Sequence, residues 1–309
     1  MSQTAYEWRE VYRMAAKHAV IAIAWDGVEH MQAQNPHVLQ SLPADLMGKW
    51  FADVQTIVRT NGRMAEQAQS IRESLAVCGF ASQILKGSSV AAYYPIPAHR
   101  QSADIDLWVL PASKDQSMAE HRALLIAMLH QQPDIEIGEV VYHHIETMTN
   151  GTDVEFHVTP TWLCNPVHNR RLQRIFAQTG QLTPELQELY TLLHAFRHIY
   201  HDGLALRHVL DYWLISRTNR SAGIQAPDEI YSKLGLVPFA HALRELGDNL
   251  FAQSNVALSP RARHLLSALP ARTVSRQVRW DYPSETLFVL PWRAVHYLWR
   301  KRMNKTKNI

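Results

Sequence analysis

Two aspartates one residue apart, Asp104 and Asp106, stand inside an apolar run from Ala103 to Val109. That run reads as a β-strand, in which residues i and i+2 share a face, so both carboxylates project the same way. Two like charges held so close require a cation between them. A second apolar run, Ala81 to Leu85, reads as an earlier strand and leads into the turn Lys86-Gly87-Ser88-Ser89. A third, Thr152 to Val158, carries Asp153 and Glu155 on one face. If these strands are neighbours, the carboxylates converge into an oxygen-rich site of the kind that suits Mg²⁺ (or Mn²⁺), which prefers one or two carboxylates plus substrate phosphates. The plain alternative for an isolated Asp-x-Asp is the solvated face of an edge strand. The Lys-Gly-Ser turn upstream moves the reading toward a site that handles a nucleoside triphosphate such as ATP.

Composition narrows the class. At 309 residues with 47% apolar side chains, the chain can bury a sizeable core. A net charge of +3 announces neither a nucleic-acid binder nor a membrane-surface protein. The two cysteines, Cys78 and Cys164, form no metal or redox motif and suggest a reducing compartment. No apolar run approaches the ~18 residues of a membrane span, so the expectation is a cytoplasmic protein.

Along the chain, apolar spacing of three and four predicts a helix from Ala5 to Met31 and a second from Pro43 to Cys78. After the first strand, Ser88 to Tyr94 reads as one or two helical turns. The second strand is followed by a helix from Ser113 to Gln131. Glu139–Thr147 and Thr152–Val158 then flank Asn150-Gly151, a hairpin turn signal. From Pro166 onward the pattern is helical almost throughout, punctuated by Gly, Pro and Asn. The expected fold is α+β: an N-terminal helical segment over 1–78, a small mixed sheet with helices over 79–160, and an all-helical region over 161–309.

Lys86-Gly87-Ser88 lacks the spacing of a P-loop. Taken with the Asp-x-Asp and the later acid, however, it resembles the nucleotidyltransferase superfamily that includes DNA polymerase beta. More narrowly, the chain resembles a bacterial family of uncharacterised nucleotidyltransferases with a strand ending Lys-Gly, a downstream Arg, Asp-x-Asp and a later Glu-x-His. Those elements stand here as Lys86-Gly87, Arg100, Asp104-Ile105-Asp106 and Glu155-Phe156-His157, and the segment Leu192–Tyr212 looks like that family's helical half. The resemblance spans Phe80 to Tyr212. It implies metal-dependent nucleotidyl transfer, with Asp104, Asp106 and Glu155 as catalytic metal ligands. Lys86, Gly87, Ser88, Ser89 and Arg100 would then meet the nucleotide, with His157, His198, Arg207 and Asp211 behind them.

Several residues carry two readings. Arg100 and Lys86 could each clamp phosphate or pair with an acid. Arg207 and Asp211, at i and i+4, could form an internal ion pair, or Arg207 could reach the triphosphate. His194, His198 and His201 share a helix face at zinc-compatible spacing, with packing as the plainer role. Of His143 and His144, at most one faces the site if both lie on a strand. The basic, aromatic stretch from Trp292 to Arg302 could contact nucleic acid or a membrane surface; an amphipathic last helix with a solvated end is the plainer reading. The leading expectation is an enzyme transferring a nucleoside monophosphate to an acceptor hydroxyl or phosphate, a small molecule for want of an extended basic track. The alternatives are a catalytically silent nucleotide-binding regulator and a nucleic-acid-modifying enzyme.

Overall fold

The computed structural model describes residues 7–113, 115–201, 203–224, 227–252, 256–269 and 276–306. Among these, the strands form one five-stranded sheet and the rest of the regular structure is helical, an α+β fold. The strands are β1 (Ser82–Ile84), β2 (Ile105–Val109), β3 (Ile135–Val140), β4 (His144–Thr149) and β5 (Thr152–His157). Their order across the sheet is β1-β2-β5-β4-β3, with β2 and β5 parallel and the other neighbours antiparallel. Asn150 (φ 48°) and Gly151 (φ 72°) both adopt the left-handed conformation, the two-residue turn whose twist matches a hairpin.

The hairpin is one strand richer than the sequence pattern predicts. Glu139–Thr147 was expected as a single strand, but β3 begins at Ile135 and the chain turns through residues 141–143 before β4. Ile135, Ile137 and Val140 supply the alternation on β3, whose register shifts between Ile137 and Val140.

Two helical layers enclose the sheet. Ile105, Leu107, Val109, Val154 and Phe156 point to one face, where they are buried with Leu125 and Leu129 of α5 (Met118–Leu129) and with Met64, Ala68, Ile71 and Leu75 of α3 (Ala44–Val77). The opposite face presents Trp108, which joins the core of α6 (Pro166–Thr179) and α7 (Pro184–His198) through an edge contact with Phe176. Local signals set these helix ends. Ser117 and Glu120 form a reciprocal capping box on α5, and Asn165 caps α6 ahead of Pro166.

The single helix expected from Ala5 to Met31 is two helices, α1 (Trp8–Lys17) and α2 (Ile21–Gln34); Ala5 and Tyr6 lie outside the described residues. Ala19 takes φ 54° between them, and the fully buried His18 accepts a hydrogen bond from the Leu206 N–H at 3.1 Å. The turn lets Trp25 and Val28 pack on Leu46 and Trp50 of α3, which one straight helix would not reach. Ser88–Ala91 (α4) is a single turn, shorter than the expected run to Tyr94. The remaining helices are α8 (Leu206–Ser221), α9 (Asp228–Leu234), α10 (Val237–Phe251), α11 (Pro260–Ala268), α12 (Arg276–Trp280) and α13 (Pro283–Thr306). Expected helix positions at Lys114 and Gln253 lie outside the described residues. α13 buries Val289 in the helical core, with Phe288 and Trp292 packed beside it, and turns Leu287, Leu290, Val295 and Leu298 to solvent. No helix among the described residues is long and apolar enough to cross a membrane.

Gly247 of α10 faces Trp213 of α8 so closely that an added Cβ would lie 2.6 Å from Cδ1 and 2.9 Å from Cβ of the indole residue. Trp213 cannot swing away without breaking its Nε1 hydrogen bond to Asp248 (2.8 Å). Gly247→Ala is therefore expected to destabilise the protein by about 1–3 kcal/mol in urea titrations, despite the better helix propensity of alanine. An unchanged midpoint would show that the two helices slide apart freely.

Candidate active site

Register decides the chemistry of the sheet's polar face. In the parallel pair, Asp106 of β2 stands opposite Glu155 of β5, and in the next pair Glu155 faces Glu146 and His157 faces His144. The period of two therefore gathers Asp106, Glu155, His157 and His144 on the face turned toward α7. Asp106 is 1% exposed and His157 3%, so neither can rely on water. His157 Nε2 sits 3.1 Å from Asp106 Oδ1 and 3.1 Å from Glu155 Oε2, bridging the two carboxylates. His144 Nδ1 lies 3.4 Å from the same Glu155 oxygen.

Lys86 supplies the second cation. It leaves the end of β1, where the Leu85 N–H donates to Asp106 O (3.0 Å) and Gln187 Nε2 of α7 donates to Leu85 O (3.0 Å). Its ammonium reaches Asp104 at 3.1 Å and Asp106 Oδ2 at 3.2 Å. Burial opposes the lysine's charge, but Asp106 and Asp104 outweigh it and hold Lys86 well above the ordinary lysine range. Burial likewise opposes ionisation of Glu155, yet His157 and His144 bring it down to about 2. For His157, burial is outweighed by Asp106 and Glu155, and its protonated form is favoured.

Gly87 follows with φ 70° and ψ −117°, a conformation open to glycine and costly for other residues. Ser88 is exposed at the start of α4, while the Ser89 hydroxyl is buried without a hydrogen bond. Arg100 does not approach the sheet acids. Its guanidinium makes a bidentate pair with Asp211 of α8, Nε to Oδ1 at 2.8 Å and Nη2 to Oδ2 at 2.7 Å, and Tyr94 donates to the same carboxylate at 2.6 Å. The third guanidinium nitrogen donates to Ser102 Oγ (3.2 Å) and, at 3.5 Å, to Gly87 O. The i, i+4 pair expected between Arg207 and Asp211 is thus replaced. Arg207 instead donates to Gln101 O at 2.8 Å. Asn61, midway along α3, donates to Ala98 O (2.7 Å) and Arg100 O (2.8 Å) and accepts from the Ser102 N–H (3.3 Å). Sequence reasoning gave Asn61 and Tyr94 no role; the one signal for Asn61 is a poor helix former inside a long helix.

A polar cavity of about 280 Å³ separates the acids from α7. One side carries Asp104, Asp106 and Glu155; the other carries Tyr190, His194, Arg197 and His198. Both His143 and His144 line it, because His143 lies in the turn before β4 and escapes the alternation of a strand. On the helix side the ligand-compatible trio is His194, His198 and His208; His201, which spacing groups with the first two, lines the cavity with its ring near Trp162, in keeping with the plainer packing role. Burial, reinforced by neighbouring cations, holds His194 well below the usual range and His198 at about 3, so these rings are neutral.

The donor set fits a divalent cation. The ligand atoms of Asp106, Glu155 and His157 lie within 4.8 Å of one another, the histidine being able to join the carboxylates as a ligand only in its neutral form, and Asp106 Oδ2 is buried with no hydrogen bond beside the Lys86 ammonium. Asp104 stands outside that trio and joins it through Lys86.

Comparison with protein families matches residues 4–252 to the family described as uncharacterised nucleotidyltransferase. The chain belongs to that family. No curated protein and no solved structure is significantly similar to it. The family match runs well beyond Phe80–Tyr212, taking in α1 to α3 on one side and α10 on the other. Nucleotidyl transfer is accordingly the general chemistry of the family, which implies a nucleotide as one substrate. The N-terminal helices are shared family structure, consistent with the clamp that Asn61 places on the Arg100 loop.

The Arg100–Asp211 pair is almost fully buried, with side chains 5% and 3% exposed. Asp211→Asn keeps the shape but leaves a guanidinium without its counter-charge, and should cost about 3–5 kcal/mol in chemical denaturation. A loss below about 1 kcal/mol would mean that Arg100 finds another anion.

Proposed function

We propose that the protein is a metal-dependent nucleotidyltransferase of the DNA polymerase beta type. In this reading it moves a nucleoside monophosphate from a triphosphate to a small-molecule acceptor. The observation that carries the reading is the in-register juxtaposition of Asp106 and Glu155 beside the Lys86-Gly87 turn. Asp104, Asp106 and Glu155 would hold Mg²⁺ or Mn²⁺, which supplies neutralisation of phosphate charge and a more acidic acceptor oxygen.

The chain's own residues do the rest. With a cation held by the carboxylates, the Lys86 ammonium would be free to meet the triphosphate. Gly87 admits phosphate close to the backbone, and Ser88 and Ser89 offer hydroxyl and N–H donors. Arg100 has its guanidinium committed to Asp211, and it acts by fixing the Gly87 turn against α8. Arg197 and Arg207 set a positive potential on the helix side of the cavity, opposite the acids. His157 orients Asp106 and Glu155, and α7 and its neutral imidazoles exclude water. Catalysis on this plan is positioning plus charge complementarity.

Calorimetric titration with each nucleoside triphosphate and Mg²⁺ tests the reading. Wild type should bind one or more of them in a metal-dependent manner, and the Asp104→Asn, Asp106→Asn variant should lose that binding while keeping its circular dichroism. Equal binding by both proteins would remove the metal assignment. Binding to no triphosphate would remove the transferase reading for this member of the family.

A further inference from the structure

A second cavity, about 490 Å³, opens on the far side of the Lys86–Asp104 ion pair. The two cavities share those two residues and differ in everything else. Val58, Met64, Ala65 and Ala68 of α3 form one wall; Ile84, Ala91, Pro97 and Ile105 form the other. Most polar side chains along these walls already have partners. Asn61 donates both amide hydrogens to the Ala98–Ser102 loop and accepts one N–H from it, Arg100 is held by Asp211, and Ser102 Oγ accepts from Arg100. The charged groups that can meet a ligand, the Lys86 ammonium and the Asp104 carboxylate, sit at the inner end, with the exposed Ser88 and the Ser102 hydroxyl, which keeps its own O–H, beside them.

Such a cavity selects its occupant by chemistry. Its volume lies in the range of small-molecule sites, and its walls reward apolar area. A sugar would leave several hydroxyls unpaired there, at a cost for each. A nucleobase would find no aromatic ring to stack on and no free amide to read its edge, whereas Tyr190 and the histidine rings line the polar cavity. The shape suits an apolar body with one polar end reaching Asp104.

We infer that this cavity is the acceptor site and that the acceptor is a compact apolar alcohol. The inference rests on the transfer reading above. In the step it implies, the alcohol oxygen forms a bond to the α-phosphorus as the bond from that phosphorus to the β-phosphate oxygen breaks. Pyrophosphate leaves with the bonding pair, and the hydroxyl proton passes to solvent. α3 thus supplies acceptor specificity.

The wall offers a clean way to close the cavity. Gly62 lines it from within α3, and a Cβ built there meets no atom within 4 Å. Gly62→Leu therefore fills the space without striking backbone, and it replaces a poor helix former by a good one. Ala65→Phe fills it from the next turn and serves as the independent second variant.

The probes are cyclohexylmethanol, 1-octanol and glucose, followed by saturation-transfer NMR for binding and by label transfer from α-labelled triphosphate with Mg²⁺. Wild type should bind and label the two alcohols and ignore glucose. Both variants should raise KM for the alcohols about tenfold or more, with triphosphate binding by calorimetry unchanged. Loss of triphosphate binding in the filled variants would overturn the inference by giving the cavity to the nucleotide. Failure of wild type to bind either alcohol, or equal labelling of glucose, would overturn it as well. Alcohol binding in a protein that binds no triphosphate would sink the transfer reading and with it the acceptor role, leaving an apolar site.

Discussion

Parallel pairing of β2 with β5 is the constraint on which the rest of the site depends. It puts Asp106 directly opposite Glu155 on a face buried under α7, where two carboxylates cannot both ionise without cations beside them. Lys86 and His157 answer that demand at 3.2 Å and 3.1 Å. The arrangement is held in place by groups with no chemistry of their own. Leu85 is bonded on one side to Asp106 O and on the other to Gln187, so the lysine departs from a fixed point.

A second buried charge pair performs the same service one layer out. Arg100 and Asp211 join the loop after α4 to α8, with Tyr94 closing the network, and Asn61 holds the backbone of that loop from the side of α3. Three segments far apart in sequence therefore converge on the Gly87 turn. A buried guanidinium paired bidentately gives geometric definition more than stability. Definition is what a turn proposed to meet phosphate requires. The same convergence creates the two cavities that meet at Lys86 and Asp104, one charged and one apolar.

How much of this was legible in the sequence follows from the range of each interaction. The Asn150-Gly151 hairpin and the start of α6 at Asn165-Pro166 are local patterns, and they stand where the pattern put them, whereas the Asp-x-Asp strand begins only at Ile105 and leaves Asp104 in the bend before it. The break at Ala19 was invisible, since it serves the packing of Trp25 on Trp50 and the contact of His18 with Leu206. The strand Ile135–Val140 was hidden because the register shift between Ile137 and Val140 breaks its period of two, and with it went the turn that lets His143 and His144 face one cavity.

The amino-acid sequence by itself determined the residue types that meet at the candidate site: two acids flanking Ile105, a third acid with its histidine, and a glycine after a lysine. Period-two alternation and turn propensity are properties of a few adjacent residues, so no distant partner was needed to read them. Only the tertiary structure decided that Arg100 meets Asp211, that Lys86 bridges Asp104 and Asp106, that His208 replaces His201 beside His198, and that α3 walls a second cavity. Those contacts join residues 10 to more than 100 positions apart. A side chain's partner at that range is set by how the layers pack, and no local pattern encodes it.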